Sequence, residues 1–167
     1  MHWLEGYSEA ELDRIQNELG LVFPPDFAAH LRERRLAQGV DWLRDLSLVR
    51  LAIERVLDGI LFDVEHDQWW PHWGEMPAGL EDRKALVTEL VNAAPKLIPI
   101  LGHRFLPETP HESGNPVFSI VQTDIILYGN DLEDYFFNES HGRLGRRSAA
   151  EPKWIPFWSD FVFSDPV

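Results

Sequence analysis

The sequence predicts an α+β domain: N-terminal helices packed on a small antiparallel sheet of about four strands or more, with a C-terminal helix. Two observations carry this. Up to residue 94 the apolar residues recur at helical spacing, and between residues 96 and 131 they fall into four short hairpin-spaced runs. Helices are therefore segregated from strands, which argues against a doubly wound sheet. No repeat, linker or low-complexity block divides the 167 residues, so 1–167 reads as a single domain.

The first helix is signalled by Ser8 as N-cap, with Glu11 three residues on to close a capping box. Tyr7 and Leu12 are placed as a hydrophobic staple. Leu12, Ile15 and Leu19 share a face, and Gly20 stands where a left-handed residue ends a helix. Val22 and Phe23 are extended before Pro24, and Pro24 and Pro25 open a second helix. Phe27 and Leu31 face inward, Arg32, Arg34 and Arg35 suit its C-terminal end, and Gly39 is expected to stop it.

Residues 48 to 63 follow a helical period through Val49, Ile53, Val56, Leu57, Ile60 and Leu61. A fourth helix is expected from about residue 80 to 93, stopped by Pro95. "KLIPILGHRFLP" gives two strands hinged at Gly102 and His103. "NPVFSIVQTDIILYGND" gives two more, hinged near Gln122 to Asp124. Asn130, with Glu133 three residues on, is expected to cap a last helix that turns Leu132, Tyr135 and Phe136 inward. "HGRLGRRSAAEPK" reads as a mobile loop, and "WIPFWSDFVF" as an apolar tail docked on the core.

Composition narrows the function. The chain carries 28 acids against 15 bases, a formal charge of −13. That field repels phosphate backbones, so no nucleic acid is expected, and it would steer a basic partner inward. No cysteine is present, which removes disulfides, thiolate metal sites and a thiol nucleophile. No run approaches the length of a membrane span, and the start lacks the pattern of a signal peptide. No membrane association and a cytoplasmic location are therefore expected. Glycine-rich phosphate loops, a G-x-S-x-G elbow and H-E-x-x-H are absent.

Two stretches concentrate reactive or adhesive residues. "HDQWWPHWGEMP", residues 66 to 77, holds Trp69, Trp70, His72, Trp73 and Glu75. Trp69 and Trp73 lie four apart, so one helical turn would bring them to the same face. The three indoles form either a small core or a set of binding anchors, with His72 and Glu75 at the wet edge. "RFLPETPHESGNPVF", residues 104 to 118, places Glu108, His111, Glu112 and Ser113 in a loop between strands 103–106 and 117–121. These are acid–base or nucleophilic types, or simply a rigid polar connection. His66, His72, His103 and His111 with Asp67, Glu75, Glu108 or Glu112 could in principle serve a metal-assisted hydrolase. The six-residue spacing of His66 and His72 around Pro71 matches no standard ligand pair, and no metal site is assigned. A small-ligand scaffold with the tryptophans as an apolar pocket is the remaining alternative.

"SEAELDRIQNELGLVFPPDFAAHL" resembles the opening of the SUKH superfamily through Gly20, Phe23, Pro24, Asp26, Phe27 and Leu31. "LIPILGHRF…NPVFSIVQTDIILYGNDLEDYF" is similar to its strand region and following helix, with Pro99, Pro116, Val117 and the Leu132–Phe136 helix in place. Residues 41 to 94 and the Gly102–His103 hinge depart from the family pattern. The superfamily includes a fungal cell-wall assembly regulator (the Smi/Knr family) and bacterial immunity proteins against secreted toxins. The resemblance implies an α+β domain that binds proteins, with no catalytic residues and no cofactor. Its expected partner is a basic toxin domain, met by the 66–77 stretch, His103 and the 104–115 loop.

Overall fold

The computed structural model of the chain describes residues 2–142, 144–145 and 151–167. It is an α+β fold. A four-stranded antiparallel sheet runs in sequential order, built from β3 (Leu97–Leu101), β4 (Arg104–Pro107), β5 (Val117–Val121) and β6 (Asp124–Gly129). A separate two-stranded sheet pairs β1 (Trp3–Glu5) with β2 (Arg34–Leu36). Helices α1 (Glu9–Leu19), α2 (Pro25–Glu33) and α5 (Leu132–His141) cover one face of the four-stranded sheet. Helices α3 (Leu46–Glu65), α4 (Leu80–Ala93) and the short α6 (Trp158–Val162) cover the other.

The alternation of the strands explains two cores. Ile98, Ile100, Leu106 and Val117 point to the first face and join Tyr7, Ile15, Phe23, Phe27 and Tyr135. Leu97, Phe105, Phe118, Ile120 and Ile125 point to the second and join Ile60, Val64, Val87 and Trp158. Helix α3 belongs to both, through Val49 on one side and Val56 on the other. Its 20 residues make a rod about 30 Å long, enough to run past the sheet.

The local signals at the N-terminus operate as chemistry predicts. Glu11 N donates to Ser8 Oγ at 3.3 Å, and Ser8 N donates to Glu11 at 2.8 Å. Those hydrogen bonds hold the Glu11 carboxyl below its ordinary range. Gly20 adopts φ 62°, which a side chain would resist. The buried Tyr7 hydroxyl accepts from Trp42 N at 3.0 Å and from Arg35 at 3.2 Å.

Three expectations are corrected. Helix α2 ends at Glu33, not at Gly39, because Arg34–Leu36 pairs with the N-terminal strand. Gly6 permits that approach: a Cβ there would lie 2.2 Å from Arg32 O. Helix α3 begins at Leu46 and runs to Glu65, beyond the expected 48 to 63. The cap of α5 is Asp131, not Asn130, since the Asp131 side chain accepts from Asp134 N at 2.9 Å. The expected mobile loop, residues 141 to 153, includes positions 143 and 146–150, which lie outside the described residues.

Candidate protein-binding surface

Residues 66–77 form a strap that closes the second core. After α3 the chain turns at Asp67 (φ 62°), then makes one 3-10 turn over Pro71–Trp73. That turn brings Trp69 and Trp73 together, edge to face at 5.1 Å and 88°. All three indoles are buried; even Trp70 is only 7% exposed. They are therefore core in this conformation and present no open aromatic rim. Trp70, His72 and Trp73 all pack on Phe161 of α6, at 4.9, 4.6 and 5.9 Å.

The strap's polar atoms are unevenly satisfied. Trp69 Nε1 donates to Gly74 O at 2.8 Å. Trp70 Nε1, Trp73 Nε1 and both ring nitrogens of His72 are buried without a partner among the described residues. His72 was expected at a wet edge; instead it is half-buried among four aromatic rings, those of Trp70, Trp73, Phe157 and Phe161. Burial pushes its pKa below the ordinary histidine value, with Asp160 opposing. Glu75 is exposed, as expected.

The 104–118 stretch is a tethered connection. Glu108 accepts from Val22 N at 2.6 Å, and Gly114 N donates to Asp26 at 2.8 Å. Asn115 donates to Pro107 O and Pro110 O, and the Thr109–Pro110 peptide is cis. Lys153 binds both Glu112, at 2.9 Å, and Ser113 O, at 2.6 Å. His111 is exposed on the loop. His103 is exposed in the β3–β4 turn, at the opposite end of β4 from Glu108. Its pKa is lowered by partial burial and by the neighbouring Arg104.

The candidate residues thus do not converge. His66 lies at the end of α3, His72 in the strap, His103 in a sheet turn and His111 in a loop. Among the described residues no group of three histidines, cysteines or carboxylates could hold a metal ion.

What the sequence reading missed is where the charge gathers. From Glu54 to Glu89 there are nine acids and three bases. Arg83 is bound to Asp67 at 3.0 Å and Lys84 to Glu65 at 2.6 Å. Lys84 also draws the Glu65 carboxyl below its ordinary range. Asp63 accepts from Thr123 N at 2.9 Å. Six acids remain exposed and in no ion pair among the described residues: Glu54, Asp58, Glu75, Glu81, Asp82 and Glu89. Phe62, Met76 and Leu80 are exposed within the same part of the chain. A count of charges along residues 54 to 89 would have found the acids; no sequence signal distinguishes Met76 and Leu80 from core residues.

A second apolar surface lies on the C-terminal segment. Trp154 and Phe163, 56% and 64% exposed, stack at 5.5 Å beside Leu127. No helix of the described residues is long and apolar enough to cross a membrane. Comparison with known proteins returns no match among family models, curated proteins or solved structures.

Proposed function

We propose that the chain is a protein-binding module of the immunity type, which neutralises a basic toxin domain by stoichiometric binding. One observation carries the reading. The surface of α3, the strap and α4 carries six exposed acids in no ion pair among the described residues, while of its three bases Arg83 and Lys84 are each bound to an acid and Arg55 alone is exposed. Such a surface raises the encounter rate with a cationic partner. It also places Phe62, Met76 and Leu80 among the acids as short apolar anchors. The resemblance of the N-terminal segment and the strand region to the SUKH superfamily supports the same reading. No cofactor is required.

The test is a pull-down with the tagged chain at low and high salt, read by mass spectrometry, beside the variant Glu81→Lys/Asp82→Lys/Glu89→Lys. A basic, nuclease-like partner should be captured by the parent chain and depleted at high salt, since surface charge is screened over about 8 Å at physiological ionic strength. The triple variant should lose it. Capture unaffected by salt and by charge reversal, or no partner at either salt, would remove the proposal.

A further inference from the structure

The two helices that carry the acidic surface are closed at one end and open at the other. The start of α4 is fastened at the end of α3 by Lys84–Glu65 and by Arg83 with Asp67 of the following turn. Toward the end of α4 no such pair joins them among the described residues. A groove of about 390 Å3 opens there instead, bounded also by the end of α1 and the start of β3. Its volume falls in the range of sites that hold a ligand or an anchoring side chain.

The walls are apolar: Leu19, Ile53, Leu57, Val91, Pro95 and Trp158. The Trp158 N–H is already spent on Pro95 O at 2.8 Å, so the deep wall offers no donor. The rim carries Glu54, Asn92 and Lys96. Lys96 donates to Gly20 O at 2.8 Å, capping the end of α1, so part of its hydrogen-bonding capacity is committed. Glu54 is exposed and in no ion pair among the described residues, and Asp58 follows one turn along α3.

We infer that this groove anchors a basic amphipathic segment of the protein partner. Its apolar side chains would enter between Leu57 and Val91, and its Lys or Arg residues would meet Glu54 and Asp58. Charge selects this occupant. An anionic amphiphile would meet Glu54 and the field of a chain at −13, and a second copy of the chain would bring the same charge. The inference rests on the reading that the partner is basic.

The experiment is methyl and indole NMR of the full chain titrated with two synthetic amphipathic helices, one of Leu and Lys and one of Leu and Glu. The Leu/Lys helix should give saturable shifts at the Leu57 and Val91 methyls and the Trp158 indole. Those shifts should weaken about tenfold in Glu54→Lys/Asp58→Lys, a loss of about 1.4 kcal/mol. They should vanish in Ala94→Trp, which fills the groove. If Ala94→Trp does not fold, the charge variant decides, because both of its positions are exposed. Equal shifts with the Leu/Glu helix would overturn the charge argument. Leu/Lys shifts confined to residues 75–82 would overturn the groove and leave the basic partner standing. No shifts with either helix would overturn the groove, while the pull-down decides separately whether a basic partner exists.

Discussion

Two aromatic segments of similar composition end in opposite situations. The strap 66–77 turns all three of its tryptophans inward. The segment 154–163 buries Trp158 and Phe161 but leaves Trp154 and Phe163 in solvent. The segments pack on each other through Phe161, so the difference is not one of location. It is one of backbone. The strap's 3-10 turn gathers neighbouring side chains on one side, whereas Trp154 and Phe163 lie before and after α6, whose own Trp158 and Phe161 are buried. Aromatic density alone therefore does not distinguish core from contact surface.

The largest expected effect breaks the comparison at its buried end. Trp70→Ala removes a ring buried against Phe161 and leaves a cavity, which costs about 3–5 kcal/mol. Chemical denaturation should show that loss in the midpoint. A change near zero would mean that the strap lifts off in solution and that its indoles are available to a partner.

The next effect concerns the atoms the strap leaves unpaired. His72→Phe removes two buried nitrogens without partners and keeps an aromatic ring among four others, so it should stabilise by about 1 kcal/mol. It should also flatten the pH dependence. The folded state holds His72 below its unfolded pKa, and His30 of α2 is pushed down to about 4 by burial and by Arg34. Both histidines thus contribute stability that is full above their unfolded value of about 6.5 and is lost as pH falls. Thermal melts of the parent chain should drop between pH 7 and 4. His72→Phe should lose less over the same interval, and His30→Phe should remove much of the remainder. A parent chain with flat stability over this range would refute the buried neutral imidazoles.

Much of the fold was legible where the chemistry is local. Ser8, Glu11 and Gly20 define α1 by themselves, and Pro24–Pro25 set the start of α2. The four strands follow from short apolar runs parted by Gly102 and by the Gln122 turn. Legibility failed where a distant partner decides. Nothing local in Arg34–Leu36 marks a strand; its partner is 30 residues away. Asp131 takes the cap from Asn130 because its side chain reaches Asp134 N. The candidate site was less legible still. Glu108 and Glu112 looked available, yet each is bound by a group far away in sequence, Val22 N and Lys153. The tryptophans looked equivalent, yet Trp154 alone of the strap and tail indoles is exposed.

A finer effect sharpens the comparison within the strap. Trp69 and Trp73 are equally buried and in contact, but among the described residues only the Trp69 N–H of the two has an acceptor. Replacing either by Phe removes similar apolar area. Trp69→Phe additionally loses the hydrogen bond to Gly74 O, whereas Trp73→Phe removes a buried N–H that has no acceptor among the described residues, so Trp69→Phe should cost about 1 kcal/mol more. Equal losses, measured as denaturation midpoints, would show that water or a ligand satisfies Trp73 Nε1 in solution.

The smallest effect lies at the exposed end. Trp154→Ala deletes a ring that stacks on Phe163 while both remain largely in solvent, so little area returns to water on unfolding. The pair's own attraction is about 0.5–1.5 kcal/mol when well packed, and exposure leaves the lower part of that range. Stability should therefore fall by about 0.5 kcal/mol. The optical consequence is larger. Five of the seven tryptophans are buried and Trp3 is half-buried beneath Arg34, so Trp154 supplies most of the emission that iodide can reach. Its removal should leave a blue-shifted spectrum that iodide quenches weakly. Strong residual quenching in Trp154→Ala would locate a second open indole, and the double variant Trp3→Phe/Trp154→Ala would tell the half-buried Trp3 from the strap.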